Sequence, residues 1–152
     1  MLAGPEEVAV QVANLLSTKG RDVATISQER TISDAVALLK ERGVGALVVT
    51  SLEKPLAGII SERDVVRALA DRGGAVLDER VSDLMSREVA TCEETTSVTA
   101  LMGLMTDKRI RHVPVVTDGR VVGVVSIGDV VKARFDELEG EKKELLDYVS
   151  GR

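Results

Sequence analysis

The chain has 152 residues, 44% of them hydrophobic and 30% charged, enough for one compact core or for two small cores that share an interface. Its formal charge of −5 and its poverty in aromatics, with no Trp, one Phe and one Tyr, argue against the basic, ring-lined surface that nucleic acid requires. No apolar run approaches the roughly 18 residues of a membrane span, and the single Cys92 has no partner for an internal disulfide, so an aliphatic core and a cytoplasmic location are expected.

Residues 1–18 are expected to hold an N-terminal helix, with Glu6, Glu7, Gln11 and Asn14 interrupting the apolar run that a signal peptide needs. Val23–Ile26 reads as a short strand. From Thr31 to Arg42, apolar residues at Ile32, Ala35, Val36 and Leu39 have the spacing of an amphipathic helix. Ala46–Thr50 and Leu56–Ile60 are rich in β-branched residues without clean alternation, the pattern of strands covered on both faces. A second helix is expected from Ser61 to about Asp71, ended by Arg72-Gly73-Gly74, and Val81–Met85 reads as a short helical turn.

The same order then returns. Val23-Ala24-Thr25 recurs as Val89-Ala90-Thr91, and Ile32–Leu39 is answered by Val98–Met105 at the same offset. Gly58-Ile59-Ile60-Ser61-Glu62-Arg63-Asp64-Val65-Val66 recurs as Gly123-Val124-Val125-Ser126-Ile127-Gly128-Asp129-Val130-Val131, one residue nearer because the connection has shrunk to Thr117-Asp118-Gly119-Arg120. Asp118-Gly119 between Val116 and Val121 is a two-residue hairpin signal. The fold class is therefore α/β (α+β): two repeats, each a small three-stranded sheet with two helices, packed with pseudo-twofold symmetry because neither half has enough core alone. The expected division is an N-terminal helix at 1–18, a first domain at 19–75, a second at 76–137, and an extension of the last helix at 138–152.

The element Gly, two β-branched residues, Ser, any two, Asp carries the chemistry. A carboxylate accepts hydrogen bonds from a vicinal diol, and a helix N-terminus attracts phosphate. Ser-x-x-Asp also suits a helix cap, although an Asp looks short for the reach back to the N-cap amide, where Glu or Gln is usual. On these residues the chain resembles the CBS domain family over about residues 19–137, as a stand-alone tandem pair. The resemblance implies adenine-nucleotide binding, with Asp64 and Asp129 on ribose hydroxyls and Ser61 and Ser126 near phosphate. It also implies that Thr25 and Thr91, at the ends of the first strands, contact base or phosphate.

The two repeats differ at Lys108-Arg109-Ile110-Arg111-His112-Val113-Pro114, a basic cluster whose counterpart, Arg42-Gly43-Val44-Gly45-Ala46, keeps one charge. The resemblance implies that Arg109, Arg111, His112 and Pro114 enter the second repeat's strand and that their basic groups meet phosphate. Gly45 and Ala46 leave room for a base. Arg63 in the first motif replaces Gly128 of the second, so the two clefts should differ in preference. The stronger phosphate site is expected around Ser126, Asp129 and Arg109–His112, with Asp64 and Arg63 forming the other.

The expected function is a regulatory, non-catalytic, energy-sensing module with no obligatory cofactor and no metal site. AMP is the leading ligand, with ATP, NAD(H) or S-adenosylmethionine as alternatives, and an unidentified protein would read the change. The rivals are a structural dimerisation module with degenerate sites and a nucleotide-processing enzyme. Phe135, Leu138, Lys142, Leu145 and Val149 follow the three-four spacing of a helical seam. They suggest a homodimer, or else packing on the N-terminal helix of the same chain.

Overall fold

The computed structural model describes residues 10–150. The first nine residues of the expected N-terminal helix lie outside that range, and its described part is α1, Val12–Lys19.

In the first repeat β1 (Thr25–Ser27) leads to α2 (Ile32–Arg42), then β2 (Ala46–Thr50), β3 (Gly58–Ser61) and α3 (Glu62–Arg72). The start of α2 is set by a reciprocal cap: Asp34 N donates to Thr31 Oγ1 at 3.1 Å while Thr31 N donates to Asp34 Oδ2 at 3.2 Å. It ends at Gly43 in the left-handed conformation, φ 64°, which a residue without Cβ adopts at little cost. Ile32, Ala35 and Leu39 are buried; Val36, which the spacing assigns to the same face, is exposed. β2 lies between the other strands, parallel to β1 and antiparallel to β3, and its first four residues are buried.

The second repeat contains α5 (Val98–Lys108), β4 (His112–Thr117), β5 (Arg120–Ser126) and α6 (Ile127–Val149). Here β4 and β5 pair antiparallel around the expected Asp118-Gly119 turn, where both residues have positive φ. The counterpart of β1 shrinks to one residue: Cys92 N donates to Pro114 O at 3.0 Å and Val116 N to Cys92 O at 2.9 Å. The chain beyond it is drawn into a different task, because Thr96 and Glu94 carbonyls accept from Val12 N and Ala13 N at the start of α1.

That task exposes the organising feature of the fold. The segment before the first repeat completes the core of the second, where Val12, Leu15 and Leu16 pack with Leu101, Met105 and Val125. Reciprocally, the 3-10 turn Gly74–Asp78 and the short helix α4 (Val81–Leu84), which precede the second repeat, complete the first core through Val76, Val81 and Met85. The backbone repeats the exchange: Val81 N donates to Arg30 O at 2.8 Å and Ile32 N to Glu79 O at 2.8 Å, as Val12 N does to Thr96 O and Val98 N to Val10 O. Each anchor sits on a glycine. A Cβ on Gly58 would lie 2.6 Å from Ser86 O, and one on Gly123 would lie 2.6 Å from Leu16 Cδ2.

Candidate functional site

Both motif helices begin with the same device. Ser61 N donates to Asp64 Oδ2 at 2.8 Å and Asp64 N to Ser61 Oγ at 3.3 Å; Ser126 N donates to Asp129 Oδ2 at 2.8 Å and Asp129 N to Ser126 Oγ at 3.2 Å. An Asp therefore does reach the N-cap amide, contrary to the expectation from its length, because the extended backbone of the N-cap Ser turns its N–H toward the third helical residue. The cap uses one carboxylate oxygen. Asp64 Oδ1 has no hydrogen-bond partner among the described residues, so capping and diol binding are compatible at Asp64.

Each repeat ties the start of its motif helix to the residue just before β2 or β4. Glu62 N donates to Gly45 O at 3.0 Å, and its symmetry counterpart Ile127 N donates to Arg111 O at 2.8 Å. A Cβ on Gly45 would lie 2.9 Å from His112 Nε2 and 3.0 Å from Glu62 Oε1. The space that Gly45 leaves is thus filled by the histidine ring of the other repeat. Ala46 is buried in β2 opposite Ser61. Pro114 is buried in β4 and lends its carbonyl to Cys92.

Facing the start of α3 is a cleft of about 550 Å³, lined by Ser61, Glu62, Arg63, Asp64 and Arg67 from the first repeat and by Arg109, Ile110, Arg111 and His112 from the second. It continues into a hollow of about 420 Å³ that shares Ile59, Ser86, Ile110 and His112 and adds Val89, Ala90 and Lys108. The larger part sets four arginines against two carboxylates in an acidic chain. The basic strand therefore gathers with Ser61 and Asp64, across the repeat boundary, and not with Ser126 and Asp129 as its own repeat suggested. Because β4 begins only at His112 and Arg109 turns the chain, Arg109, Ile110, Arg111 and His112 all line the cleft.

Arg109 makes that turn in the left-handed conformation, φ 55°, where the first repeat has Gly43. A side chain there costs on the order of 1 kcal/mol. The turn carries the guanidinium into the cleft, and the Arg109 carbonyl accepts from Arg63 Nη1 at 3.2 Å. His112 titrates below its usual value. Burial is the main cause, with the Lys19 ammonium adding to it and Glu62 and Asp129 opposing. The shift favours the neutral ring over the imidazolium.

The remaining candidates lie elsewhere. Thr25 lines an exterior hollow with Arg30, Asp34 and Glu41. Thr91 lines another beside Glu93, Glu94 and Asp118 at the hairpin end. Beside Asp129 a crevice of about 60 Å³ runs between Leu15, Thr18 and Lys19 of α1 and Asp129, Lys132 and Asp136 of α6. Lys19 Nζ lies 2.7 Å from Asp129 Oδ2 and 2.6 Å from Val124 O. Burial alone would raise the Asp129 carboxyl, but hydrogen bonds from Lys19 and Ser126 hold it below the ordinary range. Lys19, Arg67 and Ser86 are residues at the clefts that sequence reasoning missed; Arg67 was discoverable, one helical turn beyond Arg63 on the same face.

Comparison with known proteins agrees with this geometry. The CBS domain model matches twice, at residues 12–71 and 81–136. The chain is 37% identical to the CBS domain-containing protein CBSX3, mitochondrial, of Arabidopsis thaliana, over 92% of this chain and 72% of that protein. The crystal structure of a CBS-domain containing protein from Agrobacterium tumefaciens superposes with a TM-score of 0.81 at 42% identity, covering 88% of this chain and 99% of that one. A CBS domain protein from Pyrobaculum aerophilum, solved complexed with AMP, gives a TM-score of 0.70 at 31% identity, covering 79% and 89%.

Proposed function

The chain belongs to the CBS domain family as a tandem pair of its repeats, and from that premise we propose that it is a regulatory module binding an adenine nucleotide, AMP foremost, in the cleft between α3 and β4. The observation that carries the reading is the meeting of a capped helix N-terminus, Ser61 and Asp64, with Arg109 and Arg111 of the other repeat. In this reading Asp64 Oδ1 accepts from the ribose hydroxyls. The phosphate lies among Arg63, Arg109 and Arg111, with bidentate guanidinium contacts at hand. The base rests on Ile59, Ile110 and Val89, which offer apolar surface without an aromatic partner.

A nucleotide held by both repeats favours one angle between them, and a protein that reads that angle would couple it to output. In this reading the chemistry is recognition, with the His112 ring packed against Gly45 beside the cleft. Isothermal titration with AMP, ATP, NADH and S-adenosylmethionine tests the reading. We expect micromolar binding of at least one and its loss in Asp64→Asn; no binding of any of the four would refute it.

The module is also read as a homodimer. Phe135, Leu138, Leu145 and Val149 stay exposed along α6, and α1 reaches only the first turns of that helix, near Lys132 and Asp136. The stripe continues the heptad spacing from Val131, and a second copy would bury it. The rival in which Ser61 and Asp64 are caps and nothing more rests on the same hydrogen bonds; it requires that Asp64→Asn change no ligand behaviour.

A further inference from the structure

We infer that the chain takes one nucleotide, in the Asp64 cleft, because the extra turn of α1 sets the Lys19 ammonium on Asp129 and on the Val124 carbonyl at the pseudo-symmetric position. The inference rests on the nucleotide reading above and adds which of the two motif sites is open.

The two anchors do the same work until their last residues. α4 stops at Leu84, the chain extends from Met85, and Ser86 pairs with β3 in both directions: Ser86 N to Ile59 O at 2.9 Å and Ile59 N to Ser86 O at 3.0 Å. α1 does not stop at the equivalent point but continues through Ser17 and Thr18 to Lys19. At Val124, the counterpart of Ile59, the carbonyl accepts from Lys19 Nζ at 2.6 Å. The same ammonium reaches Asp129 Oδ2, the oxygen that also accepts from Ser126 N.

Size agrees with charge. Ligand sites for molecules of nucleotide size run to about 300–1,000 Å³. The Asp64 cleft, at about 550 Å³, falls inside that range. The arginines also go to one side only. Arg109 and Arg111 line the Asp64 cleft, whereas their counterparts Gly43 and Gly45 have no side chain to offer the other. An ammonium in this place has one other use, as a phosphate donor, and removing it distinguishes the two.

The test is calorimetric titration with AMP of the full chain, of Lys19→Met, and of each combined with Asp64→Asn or Asp129→Asn. We expect one site per wild-type chain, lost in Asp64→Asn and kept within twofold in Asp129→Asn. Lys19→Met should gain a second, weaker site that survives Asp64→Asn and disappears in Asp129→Asn. Two sites in the wild type, no site gained in Lys19→Met, or weaker binding in Lys19→Met would overturn the inference. If the wild type is silent but Lys19→Met binds through Asp129, the block by Lys19 stands and the Asp64 reading falls; silence in both refutes both. Lys19→Gln repeats the measurement with a different side chain, and equal urea midpoints show that the variants are folded.

Discussion

Replacing Leu16 with Ala should loosen the second repeat while leaving the first intact, although Leu16 precedes both. Leu16 is 1% exposed, seated on Gly123 and packed in the core that holds Leu101 and Val125. Removing three carbons from so closed a site costs the transfer free energy and leaves a cavity that the neighbouring strands cannot fill, about 3 kcal/mol in total. For a chain of this length that corresponds to a fall in Tm of roughly 6–12 °C. Urea unfolding followed by circular dichroism gives the magnitude, and hydrogen exchange read by mass spectrometry gives the place. Amides of α5, β4 and β5 should lose protection, and those of α2 and β2 should keep it. Met85→Ala is the mirror experiment and should loosen the first repeat. A loss below 1 kcal/mol, or equal loss of protection in both repeats, would refute the exchanged-anchor reasoning.

Three further outcomes are expected. His112 has a lowered pKa in the folded chain, so the unfolded chain binds more protons as pH falls through 6.5; stability should be full above that value and decline toward pH 5, and His112→Gln should flatten the decline in urea midpoints. Burial, aided by Glu93, raises the Cys92 thiol to about 11, so a disulfide reagent at pH 8 should modify the native chain at least a hundredfold more slowly than the urea-unfolded one; fast reaction would place the thiol at the surface. Leu138→Lys with Leu145→Lys should convert a dimer to a monomer in sedimentation while leaving the Tm of a diluted sample within a few degrees, and an unchanged mass would show that α6 is not the seam.

Much of the fold was legible because it was written twice. The recurrence of Gly58–Ala68 at Gly123–Ala133 located two strands and two helices, Asp118-Gly119 located the hairpin, and the Ser-x-x-Asp spacing located both helix starts. What was not legible depends on the twofold axis. Val12 and Val81 look alike in sequence, each an apolar residue opening a short helix, and nothing local says that each serves the more distant repeat. The basic strand was expected beside Ser126 because the two share a repeat. They do pair, His112 with Ser126 across β4 and β5, but the side chains open toward Ser61 and Asp64. Lys19 read as an ordinary cation ending a helix. Only the difference in length between α1 and α4 hinted that it would reach Asp129.

The exchanged anchors have a consequence for what counts as a unit. The stretch of sequence that is repeated is not the stretch that folds, since each copy leaves one face of its core open and finds the covering segment in front of the other copy. A single copy could close its core only by meeting a second molecule, at a cost set by dilution. Joining two copies by the few residues between α3 and α4 replaces that dilution with an effective concentration that is millimolar for a short link. Cutting the chain near Gly73 should therefore yield halves that find each other only when concentrated.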